Sequence, residues 1–349
     1  MASSLDRIAE KAGVSRATVA RILSGKEDYR RPFYRERAER IRAIAHDMNY
    51  RPNVAAKAIS TGNFGAICVL GCDIKGSGVM SRFLLAGITD EAARHEQMVM
   101  LTRLSVEMLT DREALPVVLR SAAFDGLLVN YTHHVPSEFT DIIEEQRVPV
   151  LWLNNKRDHN CIYFKDYEAL RDTTTRIIES GHSRIALLTS EAGDLYHEHY
   201  STRDRLMGYR DAMRSAGLEP QVHSIFPSNL AGEENRGRTL VQTIESIFSR
   251  EERPTAVIAT HYANLVYAAA RACDLDPPED VTICALVRYP EEFSGIPVAT
   301  LQLPDRQMGA RAVEGLMSQM QKDAELSLDP IGLDIPLENT QFLQGPVGD

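Results

Sequence analysis

Apolar residues near the start of the chain recur at helical spacing. From Leu5 to Ala12 they occupy positions i, i+3, i+4 and i+7, which lie on one face of a short helix. Gly13 can adopt a positive φ and so end this helix, and Ser15 is suited to cap a second helix over residues 16–23. The pattern predicts two short helices joined by a tight turn.

A further helical pattern follows and then breaks. Apolar residues at 38, 41, 44, 45 and 48 predict a third amphipathic helix. Pro52 prevents its continuation, Asn53 can cap another helix over residues 54–59, and Gly62 can close that helix. A helix this short is not stable in isolation. We therefore expect it to fold only when it docks on a partner.

Beyond residue 62 the apolar pattern changes to short runs that alternate with amphipathic segments. Such alternation is typical of βαβ units, in which parallel strands are buried on both faces. The runs predict strands at 66–72, 98–102, 125–131, 148–155, 184–190, 254–260 and 281–287. The intervening segments predict helices at 82–95, 111–122, 167–179, 203–216 and 262–272. A chain of 349 residues has room for two such α/β lobes and a small helical domain.

The net charge of the N-terminal helical segment differs in sign from that of the rest of the chain. Residues 1–62 carry 13 basic and 7 acidic side chains, whereas the remainder carries 26 basic and 42 acidic side chains. A basic N-terminal segment on an acidic body is typical of a nucleic-acid-binding arm. Two short helices joined by a glycine-containing turn form the helix-turn-helix pattern, in which the second helix enters the DNA major groove. An ordinary helical hairpin with a solvated basic face is the alternative.

Cysteine usage and hydropathy indicate a cytosolic chain. The five cysteines, an odd number, form no CxxC pair, which favours buried, reduced thiols. No apolar run is long enough to span a membrane, and residues 1–20 contain no apolar segment typical of secretion. We expect a cytoplasmic protein.

Two segments of the chain resemble the LacI/GalR family of transcriptional repressors. They are LDRIAEKAGVSRATVARIL, which begins at Leu5, and YRPNVAAKAISTG, which begins at Tyr50. These are similar to the headpiece and hinge of that family. GHSRIALLTS, STRDRLMGYRDAM, RPTAVIAT, PPEDVTICAL and IPVATLQLP extend the resemblance through the body. The resemblance implies a small all-α helix-turn-helix headpiece and a two-lobed α/β core with the parallel sheets of periplasmic binding proteins, with an effector between the lobes.

The resemblance also implies domain boundaries. Residues 1–50 would form the headpiece, 51–62 the hinge helix, and 63–349 the effector-binding and dimerisation core. Lobe 1 would comprise about 63–160 and 290–322, and lobe 2 about 161–289 and 323–345. The segment 24–37 is longer than the corresponding loop of the family. It either adds phosphate contacts through Arg30 and Arg31 or forms a solvated surface loop, and we favour the surface loop.

The family's DNA contacts fall on matching positions of this chain. The resemblance implies that Arg16 and Ala17 read bases, and that Ile59 inserts into the minor groove of a palindromic operator. The set that it assigns to DNA is Ser15, Arg16, Ala17, Thr18, Arg21, Asn53, Ala56 and Ile59. Because operator palindromy mirrors two-fold symmetry, we expect a homodimer.

Candidate effector-binding residues follow the predicted strands, because ligands of doubly wound sheets bind beyond the carboxyl ends of strands. These candidates are Asp73, Asn154, His261 and Arg288. The resemblance adds Val287, Phe164 as an apolar wall, and Arg205 at the position of the family's effector-binding arginine. The alternative for Arg205 is an exposed helix arginine paired with Asp204 or Asp211.

Several departures from the family's pattern bear on the effector. Asn154 stands where the family has an aspartate, Val287 and Arg288 replace an acidic pair, and Leu303 replaces a glutamine. The set of acceptors that the hydroxyl groups of a sugar need is therefore thinned, while two arginines and a histidine among the candidates would add positive charge. We expect a carbohydrate-derived, anionic or less polar effector rather than a plain neutral sugar. A pocket without any effector is the alternative.

Other chemistries have less support in the sequence. His197 and His199 have a spacing that can ligate a metal, but no third ligand with suitable spacing appears, so a polar loop is favoured. Neither a GxSxG nucleophile elbow nor a GxxxxGK[ST] phosphate loop occurs, and we expect no enzyme, metal or cofactor. A small-molecule receptor of the same fold is the competing function. Salt-dependent binding to duplex DNA would separate it from a regulator.

Overall fold

The computed structural model shows two compact units, formed by residues up to 65 and from 66 onward. It describes residues 4–23, 32–51, 58, 62–73, 80–105, 108, 113, 115–121, 123–130, 135, 137–189, 199–225, 233–321 and 327–346, without the side chains of 32, 33, 72, 73, 105 and 233–237. Among these residues, every helix is too short or too polar to cross a membrane.

The described part of the N-terminal unit is a bundle of short helices. These helices are α1 (Ser4–Ala12), α2 (Arg16–Leu23) and α3 (Pro32–Asp47). Ile8, Val19 and Ile41 contribute one fully buried side chain from each helix to a common core. The three helices that the apolar spacing predicts are therefore confirmed.

The turn between α1 and α2 has the predicted chemistry. Gly13 has a φ of 66°, a conformation that glycine adopts without steric cost. The backbone N–H of Thr18 donates to Ser15 Oγ over 3.2 Å, so that Ser15 caps α2. Arg40 of α3 donates through Nη2 to the backbone oxygen of Ala12 at 2.7 Å. This bond satisfies a carbonyl at the end of α1 and joins α3 to the turn.

The segment 24–37 is not a surface loop throughout. Helix α3 begins at Pro32, so the last six residues of the segment are helical. Proline is tolerated in the first turn of a helix because its missing N–H would have no intrahelical acceptor there. Arg30 and Arg31 lie outside the described residues. The predicted hinge contacts Asn53, Ala56 and Ile59 also lie outside them.

Two six-stranded sheets form the second unit. The first sheet has the spatial order β11 (Ile331–Leu333), β5 (Cys161–Phe164), β4 (Val150–Leu153), β3 (Gly126–Asn130), β1 (Ala66–Asp73), β2 (Met98–Ser105). The second has the order β12 (Leu337–Glu338), β10 (Ala299–Gln302), β9 (Thr282–Val287), β8 (Ala256–Ala259), β6 (Ile185–Thr189), β7 (Gln221–Ser224). All neighbouring strands are parallel except β10 and β12.

Helices flank both sheets. They are α4 (Arg82–Arg94), α5 (Val117–Ser121), α6 (Ser137–Glu144), α7 (Asp166–Glu179), α8 (Tyr200–Ser215), α9 (Glu233–Phe248), α10 (Ala263–Ala272) and α11 (Asp305–Gln319). Every residue of β3, β6 and β8 is buried, which shows that these central strands are covered on both faces. The predicted α/β architecture with parallel sheets is thus confirmed.

Periodicity left several elements undetected. Strands β5, β7 and β10 were not predicted; they have four residues each, as do β4 and β8, but those two lie within longer apolar runs that the pattern detected. Helices α9 and α11 were not predicted either. Conversely, the predicted helix at 111–122 is helical only at Val117–Ser121, and 111, 112, 114 and 122 lie outside the described residues.

We call the first sheet with its helices lobe 1 and the second sheet with its helices lobe 2. The chain passes between the lobes three times, after β5, after β10 and after β11. Strands β5 and β11 lie in lobe 1, although the predicted ranges assigned them to lobe 2. Strand β10 lies in lobe 2, although its predicted range assigned it to lobe 1. The reason is that the chain changes lobe only after each of these strands is completed, so the strand stays with the sheet it extends.

Helices α4 and α11 of lobe 1 pack against each other at two glycines. A Cβ atom at Gly309 would collide with the backbone oxygen of Leu84 and lie 2.7 Å from the backbone nitrogen of Ile88. Gly87 makes the reciprocal close approach to α11, beside the backbone oxygen of Arg306. This crossing fixes the first turns of both helices, which face lobe 2.

Candidate functional site

The predicted DNA-reading residues of α2 lie together on its outer face. Arg16, Ala17 and Arg21 are exposed, whereas Val19 and Ile22 are buried against the other helices. Thr18 is half-buried, and its Oγ1 lies 2.9 Å from Oγ of the cap residue Ser15. The side chain of Arg16 is 63% exposed, with Nε 3.8 Å from Asp6 Oδ1. The first turn of α2 therefore presents a cation and a small side chain on a rigid, capped helix.

A cavity of about 230 Å³ lies between the two lobes of the second unit. Lobe 1 contributes Ser81, Leu84, Asn130, Asn154, Asp305 and Met308 to its lining. Lobe 2 contributes His199, Ser201, Thr202, Arg205, His261 and Arg288. Most of these residues follow the carboxyl end of a strand or begin a helix, which is where doubly wound sheets bind ligands. All but Leu84 and Met308 are polar.

The cavity brings together four of the seven predicted effector residues, namely Asn154, Arg205, His261 and Arg288. Phe164 and Val287 instead lie in the hydrophobic core and do not line it. Val287 is the last residue of β9, and successive side chains of a strand point to opposite faces, so Arg288 and not Val287 reaches the cavity. The side chain of Asp73 lies outside the described part of the chain.

Sequence reasoning missed the other lining residues, although some carried a signal. Asn130 lies within the predicted run 125–131 and is the last residue of β3, and Asn154 directly follows the neighbouring strand β4. Asp305 begins α11, three residues after β10, and supplies an acceptor close to Leu303, where the family's glutamine is absent. Ser81 caps α4 by accepting from the N–H of Phe83. The predicted helix at 82–95 would have pointed to its cap Ser81, whereas Asp305 begins a helix that the pattern did not predict.

Both cavity arginines are paired with carboxylates. Arg205 Nε donates to Asp166 Oδ1 at 2.6 Å, and Arg288 Nη1 donates to both carboxylate oxygens of Asp305 at 2.6 Å. Arg205 therefore pairs with neither Asp204 nor Asp211, the alternative partners that the sequence offered. Asp166 and Asp305 each begin a helix, where the macrodipole stabilises a negative charge.

His261 does not add the positive charge that the sequence suggested. Its pKa falls to about 4, first because the ring is buried and then because Arg205 and Arg288 repel a proton. The ring is thus neutral near pH 7. The hydroxyl of Thr260 donates to the backbone oxygen of Leu188 at 3.1 Å, so the 3.0 Å contact with His261 Nδ1 makes Nδ1 the donor. Nε2 of His261 is then left as an acceptor.

Asn154 is held by residues of the opposite lobe. It has a φ of 52°, and its backbone oxygen accepts from His199 Nε2 at 2.6 Å. Tyr200 Oη donates to Asn154 Oδ1 at 3.4 Å and accepts from the backbone N–H of Phe164 at 2.9 Å. Since Oδ1 is engaged, the amide NH₂ of Asn154 is its remaining polar group for the cavity. Lys156 adds an ion pair across the lobes, with Nζ 2.6 Å from Asp204 Oδ2.

Metal-ligand geometry is not found in the described residues, where no group of three His, Cys, Asp or Glu side chains could hold a metal ion. His199, part of the spacing that the sequence singled out, uses both ring nitrogens within the protein. Nε2 contacts Asn154 and Nδ1 lies 2.8 Å from Ser201 Oγ. His197 lies outside the described residues.

Comparisons with known proteins agree with this architecture. Residues 4–53 match the family model described as bacterial regulatory proteins, lacI family, and residues 174–330 match the periplasmic binding protein-like domain. The chain is 26% identical to the HTH-type transcriptional regulator GntR of Escherichia coli K12, covering 95% of each chain. It is 23% identical to the probable HTH-type transcriptional regulator EndR of Paenibacillus polymyxa, covering 92% of this chain and 91% of EndR.

Solved structures show the same fold. The lac repressor dimer bound to operator and the anti-inducer ONPF has a TM-score of 0.74 at 19% identity and covers 97% of this chain and 98% of its own. A complex of the transcriptional regulator CelR with cellobiose has a TM-score of 0.61 at 18% identity, covering 96% of this chain and 98% of its own. With a matching headpiece, a matching body and relatives similar over nearly their full length, the chain belongs to the LacI/GalR family of DNA-binding transcriptional regulators.

Proposed function

We propose that this protein is a homodimeric repressor that reads a palindromic operator through α2 and responds to a small polar effector in the interlobe cavity. The observation that carries the proposal is the exposed first turn of α2, where Arg16 and Ala17 stand on a helix capped by Ser15. Residues at this end of a recognition helix contact base edges in the major groove. The lac repressor, which is similar in fold, was solved as a dimer on its operator.

Charge supports the DNA part of the proposal. The N-terminal 62 residues have six more basic than acidic side chains, while the body is strongly acidic. Such a headpiece releases counterions when it binds DNA, so affinity should fall steeply with salt. The acidic body keeps the contact confined to the headpiece and the hinge, where Ile59 is the proposed minor-groove wedge.

An exposed apolar strand supports the dimer. β2 is the outermost strand of the lobe 1 sheet, and it exposes Met98 and Leu101 by 46% and 55%. An edge strand with exposed apolar side chains favours association, so proteins usually cover it or add charge to it. We infer that a second copy of the chain covers this strand. Two headpieces would then read two half-sites.

Contacts across the cavity support a response to an effector. Lys156 and Asn154 of lobe 1 bond to Asp204 and His199 of lobe 2, next to the lining residues. A ligand that touches both lobes will favour some lobe arrangements over others, and its differential affinity sets the size of the response. CelR, which shares the fold, was solved with cellobiose.

The test is selection of bound sequences from a random duplex library, at two salt concentrations, with the full-length protein. The wild type should recover a palindrome. Arg16→Ala should lose about 1–3 kcal/mol of discrimination at one position in each half-site. Arg42→Ala is the matched control, because Arg42 is exposed on α3 and its loss removes the same charge from the headpiece. It should weaken binding to all sequences alike, without a change in the recovered motif.

Two outcomes would contradict the proposal. Recovery of no motif at either salt concentration would show that the chain is not a sequence reader and would favour the small-molecule receptor. Recovery of the same motif with the same base preferences from Arg16→Ala would show that another residue reads those bases.

A further inference from the structure

The two ion pairs of the cavity are layered, with the carboxylates inside and the guanidinium groups outside. The side chain of Asp305 is 1% exposed, whereas that of its partner Arg288 is 38% exposed. The side chain of Asp166 is fully buried and that of Arg205 is 9% exposed. Each pair is formally neutral, but each turns its positive end toward the cavity. A ligand therefore meets donors first and carboxylates second.

The groups beside this surface complement an oxyanion that carries neighbouring hydroxyl groups. Only one nitrogen of each guanidinium is engaged in the hydrogen bonds described above, and a guanidinium has five N–H donors. Asn154 offers its amide NH₂, because its Oδ1 accepts from Tyr200. His261 Nε2 offers an acceptor, as a ligand hydroxyl requires. Near pH 7 this acceptor persists, because burial of the ring, and then the two arginines, lower the pKa of His261.

Size limits the ligand further. The cavity volume of about 230 Å³ lies below the range of about 300–1,000 Å³ that is usual for sites of drug-sized ligands. Among the described residues that line this cavity none is aromatic, and the apolar ones are Leu84 and Met308. A flat hydrophobic ring system would therefore leave most of the polar groups without partners, which is costly in a buried site.

We propose that the effector is a compact hydroxylated carboxylate, whose carboxylate accepts hydrogen bonds from Arg288 and Arg205 and whose adjacent hydroxyl donates to His261 Nε2. This inference rests on the proposed effector-responsive function and specifies the class of its ligand. A carboxylate is favoured over a phosphate monoester because Asp166 and Asp305 already balance both arginines. Each anionic charge that enters therefore finds hydrogen-bond donors but no net counter-charge, and a phosphate dianion brings two such charges to be desolvated where a carboxylate brings one.

The ligand side is tested by calorimetric titration of the full-length protein with matched compounds of four to seven carbons. Each aldonic acid is compared with the alditol and the aldonamide of the same skeleton, and with the corresponding sugar phosphate. Hydrogen bonds to charged groups contribute about 1.5–3 kcal/mol, so at least one acid should bind about 10- to 150-fold more tightly than its neutral counterparts. Equal or tighter binding of the alditol, or of the phosphate, overturns the proposal, and so does the absence of binding by every acid.

The protein side uses two variants and a control. Arg288→Gln should remove the preference for the acid over the alditol, because it removes the exposed guanidinium. Asp305→Asn should not weaken binding of the acid. It removes the counter-charge of Arg288, while the amide oxygen can still accept a hydrogen bond from Arg288. The acid should then bind as tightly as to the wild type, or up to about 10-fold more tightly. Arg271→Gln, in an exposed ion pair with Asp276 on lobe 2, is the control for loss of one positive charge.

Asp305→Asn distinguishes the proposal from recognition of a neutral sugar. If the Asp305 carboxylate itself accepted from ligand hydroxyl groups, this variant would lose binding of the acid, and that result overturns the inference. Parallel selection of operator DNA separates this failure from failure of the proposed function. A protein that recovers a palindrome but binds only neutral sugars remains an effector-responsive regulator with a different ligand class. A protein that recovers no palindrome is not the proposed regulator, whichever compound it binds.

Discussion

Replacement of Arg205 by Met isolates the energetics of the buried pair behind the cavity. Methionine keeps an unbranched side chain of similar length but removes the guanidinium. Asp166 is then left fully buried without the partner that lies 2.6 Å away, and its Oδ2 already has no hydrogen-bond partner within the described residues. Burial raises the pKa of Asp166, and Arg205 opposes that rise. The variant therefore leaves a buried carboxylate whose main compensation has been removed.

The expected loss of stability is large. At 2.6 Å and an effective dielectric constant of about 20, the attraction between the two charges is about 6 kcal/mol before desolvation. Removal of one partner of such a pair costs about 3–5 kcal/mol, because the other charge stays buried. The double variant Arg205→Met/Asp166→Asn removes both charges and leaves only a neutral amide with unmet hydrogen bonds, at about 1–3 kcal/mol. The double variant should therefore be more stable than Arg205→Met alone.

Urea unfolding monitored by tryptophan fluorescence measures these differences in the core, because Trp152 is the one tryptophan of the chain and lies in β4. All variants are compared at one protein concentration, since association changes apparent stability. The refuting result is a double variant that is less stable than Arg205→Met, which would show that the two residues contribute separately by packing and not as an ion pair.

The free energy of unfolding of the same variants should change with pH in a direction that the pKa of Asp166 determines. A carboxyl group whose folded pKa lies above its unfolded value contributes stability that is present at low pH and lost as the pH rises through the folded pKa. Loss of Arg205 raises the pKa of Asp166 further, so the deficit of Arg205→Met relative to wild type should be larger at pH 8 than at pH 5. Histidines remote from Arg205 titrate alike in the variant and the wild type. His261, whose pKa Arg205 helps to lower, cancels only in the comparison of Arg205→Met with the double variant, because both lack Arg205. A stability difference between these two variants that is equal at both pH values would contradict the assignment.

Two further predictions follow from local geometry. Ser15→Ala removes the α2 cap at a cost of about 1 kcal/mol, so amides of α2 should exchange hydrogen faster, whereas Ser15→Asn should restore slow exchange; equal rates in both variants would contradict the capping role. Gly309→Ala places a Cβ against the backbone of α4 and should cost about 1–3 kcal/mol of core stability by urea unfolding. Gly315→Ala is its control on the same helix, because its Cβ meets only the side chains of Leu328 at 3.1 Å and Leu151 at 3.4 Å, so it should cost less.

The sequence determined the first two helices of the headpiece and the turn that joins them. The apolar spacing around Ile8, the glycine at 13 and the cap at Ser15 predicted α1 and α2 and the turn between them, and the structure has them where the pattern placed them. These features depend on contacts within one turn or between adjacent helices. Such contacts are encoded in the order of a few residues, so they can be read without knowledge of the rest of the chain.

The sequence also determined the alternation of strands and helices, but only the tertiary structure decided the cavity. The sequence indicated Arg288 by its place after a predicted strand and Arg205 by its match to the family's effector-binding arginine. Together they predicted a positively charged site. Their carboxylate partners, Asp166 and Asp305, are separated from them by 39 and 17 residues and were not foreseen. Whether such a pair is neutral, and which end of it faces a ligand, depends on burial and on distances of a few ångströms between segments that the sheets bring together. Spacing along one chain does not contain that information, because it arises from how strands order themselves in a sheet and from where the chain crosses between lobes.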